Sequence, residues 1–141
     1  MSAVVPHRVR PRLSPGRRLL TLLAVAVAGR LARSSPARIR TVLTWLRKGA
    51  RPAAYAEVRA ARQAVVVVSL RCASDEGCLQ RSLATVLLCR VRGSWPEWVV
   101  GVRARPPFGA HAWVEAEGRM VEEEADPSYF RRLFSVPAAE R

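Results

Sequence analysis

The feature that most constrains this chain is a change of hydrophobic period near Arg92-Gly93-Ser94. Before it, apolar residues recur three and four positions apart. After it, they alternate or run in short β-branched blocks. The first spacing puts a stripe along one face of a helix, and the second puts a face on a strand. A chain that does one and then the other predicts an α+β fold, with N-terminal helices followed by a small antiparallel sheet.

The helical part divides at its breakers. Leu19 to about Leu31 predicts a helix that is apolar on most faces. Ser34-Ser35-Pro36 interrupts it, with Ser35 placed to cap a second helix over 37–48 and Pro36 at its first position. Ile39, Val42, Leu43 and Leu46 form its stripe, and Gly49 ends it. A third helix is predicted from Ala53 to Val68. Val65-Val66-Val67-Val68 would also suit a strand, but the alanine-rich lead-in favours helix. Ser69 to Gly77 reads as a loop and Cys78 to about Arg90 as a fourth helix, with Leu79, Leu83, Val86 and Leu87 on one face. Strands follow at Trp98–Val102, His111–Ala116 and Arg119–Glu123, arranged as a meander with a turn at Glu117-Gly118. Asp126-Pro127 then leads into Tyr129–Phe134, a short helical turn or a further strand. Residues 1–16, rich in Arg, Pro and Ser, have no apolar period and read as disordered.

Charge divides the chain in the same direction. The net charge is +13, and residues 1–64 carry fourteen basic residues against a single acid, Glu57. Residues 65–141 carry ten of each sign. This predicts a basic helical N-terminal extension at 1–50 and a domain bearing the chemistry at 51–141. A basic half either meets an anionic partner (nucleic acid, acidic protein or a peripheral membrane surface) or reflects an arginine-rich coding bias. No nucleic-acid-binding motif accompanies the charge, so a basic binding module is the lesser reading. Arg17-Arg18, the apolar run Leu19–Ala28 and the small residues Ala26-Val27-Ala28 have the outline of an export signal. Arg30 and Arg33 follow at once, and the run is shorter than the ~20 residues a membrane span needs. A helix packed on the domain or lying on a surface is preferred.

The three cysteines, Cys72, Cys78 and Cys89, form neither a disulfide framework nor a CxxC pair, and one nearby histidine does not complete a zinc site. The pattern suits a reducing cytoplasm. Cys78 is the exception in position. It opens a predicted helix just after Gly77, where the helix dipole and a neighbouring imidazolium would favour thiolate. Gly77 would let a substrate backbone approach. His111, on a strand, is the available base; the other histidine, His7, lies in the tail. Cys72 and Cys89 read as structural. A third group to orient the imidazole comes from Glu122, Glu123, Glu124 or Asp126. A two-residue turn at Glu117-Gly118 would force Glu117 to positive φ. A three-residue loop with glycine alone in the left-handed region avoids that strain. This register pairs Glu115 with Arg119 and therefore His111 with Glu123, the first choice, with Asp126 second. The alternative for the acidic run is a solvated edge. Trp113, two residues from His111, shares its face and either shields the pair from water or serves as core.

The runs Ser69-Leu70-Arg71-Cys72, Gly77-Cys78-Leu79-Gln80-Arg81-Ser82-Leu83-Ala84, Gly101-Val102-Arg103 and Pro107-Phe108 resemble those of a known family. So does Ala110-His111-Ala112-Trp113-Val114-Glu115. The family is the lasso-peptide maturation proteases, transglutaminase-like leader peptidases; the resemblance covers roughly 53–137. It implies a papain/transglutaminase-like fold and a Cys-His-acid triad that cleaves a precursor peptide at its leader–core junction, with no cofactor. By position, Cys78 is the nucleophile and His111 the base. The family's acid is usually Asp; here Glu123 stands at the matching place with Asp126 close by. The resemblance also implies a PqqD-like leader-binding partner and an ATP-dependent asparagine-synthetase-like lasso cyclase downstream. Acyl transfer to an amine, as in a transglutaminase, is the alternative reaction on the same fold.

Overall fold

The computed structural model describes residues 12–123 and 126–139. The change of period marks a change of architecture: helices precede residue 92 and the main sheet follows it, as an α+β chain requires. Helix α1 runs Pro15–Leu31 and α2 runs Pro36–Leu46. Each opens on a Ser-Pro pair. Ser14 Oγ accepts from the Arg17 N–H and Ser35 Oγ from the Arg38 N–H, both at 3.2 Å. The proline fills the first helical position, where an N–H would have no partner. The expectation started α1 at Leu19 because Arg17 and Arg18 break the apolar pattern, while the capping signal lies upstream of them. Residues 1–11 of the predicted disordered tail lie outside the described residues.

After a short strand β1 (Arg51–Pro52), α3 spans Tyr55–Val68. It remains helical through its valines. Val58, Ala61, Ala64 and Val65 form a buried stripe at helical spacing, and burial of that face outweighs the modest helix cost of β-branching. Glu57 secures its start. It accepts two bonds from the Arg51 guanidinium, at 2.7 and 2.8 Å, and one from the Ala54 N–H at 3.0 Å. These bonds hold its carboxyl down at about pKa 2.

The stretch predicted as a loop contains a helical turn α4 (Leu70–Ala73) and a 3₁₀ turn (Asp75–Gly77). Ser69 Oγ caps α4 through the Cys72 N–H, and Arg81 reaches back to the Cys72 and Ser74 carbonyls at 2.9 and 3.1 Å. Helix α5 (Cys78–Val91) follows without a break. Its Leu83, Val86 and Leu88 join Ala28 of α1, Leu43 of α2 and Val58 and Val65 of α3 in one core. Among the described residues, no helix is long and apolar enough to cross a membrane.

Beyond β2 (Ser94–Trp95), which pairs parallel with β1, the sheet comprises β3 (Glu97–Arg103), β4 (Ala110–Ala116), β5 (Arg119–Met120) and β6 (Phe130–Val136). Its order is β5-β4-β3-β6, all antiparallel: β3, β4 and β5 form the expected meander, with β5 shorter than predicted, and β6 adds to its β3 edge. The last strand returns to the free edge of β3. There Phe134 meets Trp98 at 5.8 Å and the Val136 carbonyl accepts from Trp95 Nε1 at 3.1 Å. Trp98 Nε1 in turn donates to Ser82 Oγ on α5 at 3.0 Å, tying the sheet to the helix.

The hairpin turn also differs from expectation. Ala116 pairs with Arg119, leaving the two-residue turn Glu117-Gly118 with φ of 53 and 75. The strain at Glu117 is compensated by its carboxylate, which accepts the Tyr55 N–H at 2.7 Å at the start of α3. Arg119 also lies over the Tyr55 ring at 4.1 Å. The turn is fastened to a helix 62 residues away, a contact that no local turn rule includes.

Candidate active site

Helix α5 and strand β4 bring the two singled-out side chains together. Cys78 is the first residue of α5, at the positive end of its dipole. His111 is the second residue of β4. Cys78, His111 and Ala112 line one cavity, close enough for the imidazole and the Ala112 N–H to act on the thiol. His111 Nε2 lies 3.2 Å from Glu123 Oε1, with the two side chains only 9% and 12% exposed. Cysteine, histidine and carboxylate therefore form a chain in which each group polarises the next.

The electrostatics follow. Burial pushes the Cys78 thiol up, but the His111 hydrogen bond, the Ala112 N–H and the charges of His111 and Arg81 together bring it below its ordinary value. Burial pushes His111 down, but bonds to Cys78 and Glu123 and the charges of both raise it to about 9. Each shift favours the ionised form of its group, thiolate for Cys78 and imidazolium for His111. Cys89 shows the contrast. It is buried near the other end of α5, and desolvation drives its thiol up to about 12.

Glu123 reaches His111 by a route other than the predicted register. With a two-residue turn, a continued ladder would not place it opposite the histidine. The ladder stops instead. Val121 N–H still bonds the Val114 carbonyl, but Glu122 takes φ 55 and turns the chain out of the sheet. The carboxylate of Glu123 then comes back to the ring. Glu122 itself pairs with Arg59 on α3. Asp126 does not join the cluster: its Oδ1 accepts the Ser128 N–H at 2.8 Å and caps the 3₁₀ turn Pro127–Tyr129. Glu124 lies outside the described residues.

Several supporting residues escaped the sequence reading. Phe130 of β6 stacks on His111 at 4.8 Å and 18°, while Trp113 lies at 5.7 Å and 22°. Two aromatic rings thus fix the plane of the imidazole, and Trp113 is both packed and shielding. Gly101 makes room for them. It pairs with His111 across the sheet, and a Cβ there would come 2.3 Å from the Arg131 carbonyl and 2.8 Å from the Trp113 ring. Arg81, 9% exposed and one turn after Cys78, holds the segment that leads into the cysteine. A charged residue on the buried face of an apolar helix was the available signal. Gly77 has a different role from the one expected. A Cβ there would fall 1.9 Å from the Arg71 carbonyl, so the backbone that approaches it is the chain's own.

The reactive pair opens on a cavity of about 390 Å³, walled mainly by apolar side chains including Ile39, Leu79, Trp98 and Phe134. An activated thiolate beside an apolar cleft can attack an acyl carbon and hold the product as a thioester. No curated protein and no solved structure matches the chain. Residues 21–135 match the transglutaminase-like superfamily, whose members are typically cysteine peptidases or transferases. That match covers most of the chain, from α1 to β6, so the chain belongs to the transglutaminase-like superfamily.

Proposed function

We propose that this protein is the cysteine peptidase that removes the leader from a ribosomally made lasso-peptide precursor, with Cys78, His111 and Glu123 as its triad. The observation that carries the reading is the placing of Cys78 and His111 on one cavity wall, with Glu123 3.2 Å from the imidazole and with a lowered thiol and a raised imidazole. The Cys78 sulfur attacks the scissile carbonyl carbon. The C–N bond breaks as His111 gives its proton to the departing amine, leaving a thioester on Cys78. His111 then takes a proton from water, whose oxygen displaces the sulfur and releases the leader as a carboxylic acid. Glu123 holds the ring and stabilises its charge.

The reaction takes place in the cytoplasm, where thiols stay reduced, and its product passes to the asparagine-synthetase-like cyclase. A PqqD-like recognition protein binds the leader and presents it. The basic N-terminal half docks that partner. On α1, Leu19, Leu22, Leu23 and Val27 are all exposed beside Arg18 and Arg30, with no acid in the helix. Such a face complements an apolar patch rimmed by carboxylates. Retention on anionic vesicles instead of with the partner would assign the face to a membrane surface.

The test is a cleavage assay read by mass spectrometry. The precursor encoded beside this protein is mixed with wild type or Cys78→Ala, with and without the leader-binding partner. A cut at the leader–core junction that vanishes in Cys78→Ala is the expected result. No cut by wild type, even with a partner shown to bind the leader, would overturn the reading. An added amine that captures the acyl group in preference to water would turn it into acyl transfer.

A further inference from the structure

The apolar cleft over Cys78 does not end at the reactive pair. It shares Ala32 and Leu79 with a second, larger cavity of about 620 Å³ on the other side of the α5 start. This second cavity has the opposite chemistry. Arg30 comes to it from the end of α1, Arg33 from the segment after that helix and Arg71 from α4, with Glu76 the single acid among the described residues of its lining. All three arginines are exposed, and none pairs with a carboxylate among the described residues. Gly77 and Leu79, the neighbours of Cys78 in the chain, are among its lining residues. Because the two cavities share Ala32 and Leu79, a peptide whose carbonyl meets Cys78 can run on into the arginine-lined cavity.

We propose that this cavity is a substrate subsite for an acidic side chain near the scissile bond. The apolar cleft then takes a hydrophobic side chain on the other side of the thiol. The inference rests on the peptidase reading in taking the occupant to be the peptide substrate. Arg30, Arg33 and Arg71 are the specificity-determining residues. Guanidiniums match carboxylates in shape and charge, and their surplus over Glu76 leaves the cavity cationic. The subsite selects among peptides and leaves the bond-breaking step to Cys78 and His111.

The test separates binding from chemistry. Short fluorescent peptides spanning the cleavage site carry Glu or Gln at each position near the scissile bond. Their affinity for the Cys78→Ala protein is read by anisotropy, and their KM and kcat with wild type by cleavage. At one position Glu is expected to bind tighter than Gln, by about two- to fivefold for each arginine engaged. The preference should shrink in Arg30→Gln, Arg33→Gln and Arg71→Gln and vanish in the triple variant, moving KM and leaving kcat nearly unchanged. It should also fade at high salt. Unchanged melting of the variants excludes misfolding. Equal binding of Glu and Gln peptides at every position, or binding of neither, overturns the subsite. Binding that discriminates without any cleavage keeps the subsite and sinks the peptidase reading.

Discussion

At the scale of residues, the candidate site depends on two opposed pKa shifts. The Cys78 thiol lies below its ordinary value and His111 is raised from 6.5 to about 9. Activity should therefore rise as pH climbs through the lowered thiol pKa and fall as His111 loses its proton near pH 9, measured as kcat/KM against pH. Linkage gives the matching signs for stability. The contribution of His111 is complete below its unfolded value and lost as pH rises through about 9. That of Cys78 is present above its unfolded value and lost as pH falls through its lowered folded one. Glu123→Gln removes the carboxylate's charge and leaves only an amide oxygen to accept from Nε2. The alkaline limb should then move to lower pH and kcat should fall roughly a hundredfold, within the range for general acid–base groups. Glu123→Asp should recover part of the loss, whereas a merely structural role would leave the limb where it was. Cys78 and His111 were legible because residue type and helix position narrow the choice among three cysteines and two histidines. Glu123 was named on a register the chain does not adopt. The turn is one residue shorter than expected, and the left-handed Glu122 ends the ladder before that difference reaches the site. Nothing in Glu122 as a residue type announces such a conformation.

At the scale of elements, apolar period located the long helices, the Ser35-Pro36 signal placed the start of α2, and alternation located β3 and β4. What stayed hidden depends on partners distant in sequence. The α4 segment is secured by Arg81, and β6 pairs with β3 because that edge is open. The junction of the 3₁₀ turn with α5 is the element on which the nucleophile depends. Gly77→Ala would put a methyl carbon 1.9 Å from the Arg71 carbonyl, and backbone cannot yield as a flexible side chain does. The turn must open and Cys78 must leave the imidazole. Gly16→Ala, in the first turn of α1 with nothing within 4 Å of the new carbon, is the matched control. It should stabilise by about 0.5–1 kcal/mol, the helix preference for alanine over glycine. Thermal melts should move in opposite directions for the two variants, and only Gly77→Ala should lose reaction with a thiol-specific alkylating agent at neutral pH. A Gly77→Ala protein as stable and as reactive as wild type would mean that the junction tolerates a side chain.

At the scale of the whole molecule, two divisions of the chain run across each other. Charge separates the basic first half from the neutral second, but burial does not follow that line. Ala28, Ile39 and Leu43 from before residue 50 are at most 2% exposed and lie in the same core as Val58, Leu83 and Leu88. Gln80 on α5 donates to the Val25 carbonyl at 3.0 Å, and Arg90 donates to the Leu46 and Lys48 carbonyls at 2.6 and 3.1 Å. Gly29 permits the first of these contacts, since a Cβ there would meet the Gln80 amide at 2.7 Å. Removing residues 1–50 would uncover one side of α5 and leave the half-buried Arg90 without its carbonyl partners. Each fully buried leucine or isoleucine lost from the core costs about 1.5–3 kcal/mol. A small domain has only about 5–15 kcal/mol in total. A fragment of residues 51–141 should therefore give no cooperative melt by circular dichroism, and Cys78 should titrate in it as an ordinary thiol. A cooperative melt with the lowered thiol pKa intact would instead make the basic half a separable layer, free to serve partner docking alone. The choice bears on the site directly, because α1 supplies Arg30 and the segment after it supplies Arg33, while Pro36 and Ile39 wall the cleft over the thiol. A fragment that folds without them should lose the walls that select a peptide while keeping the pair that cleaves it.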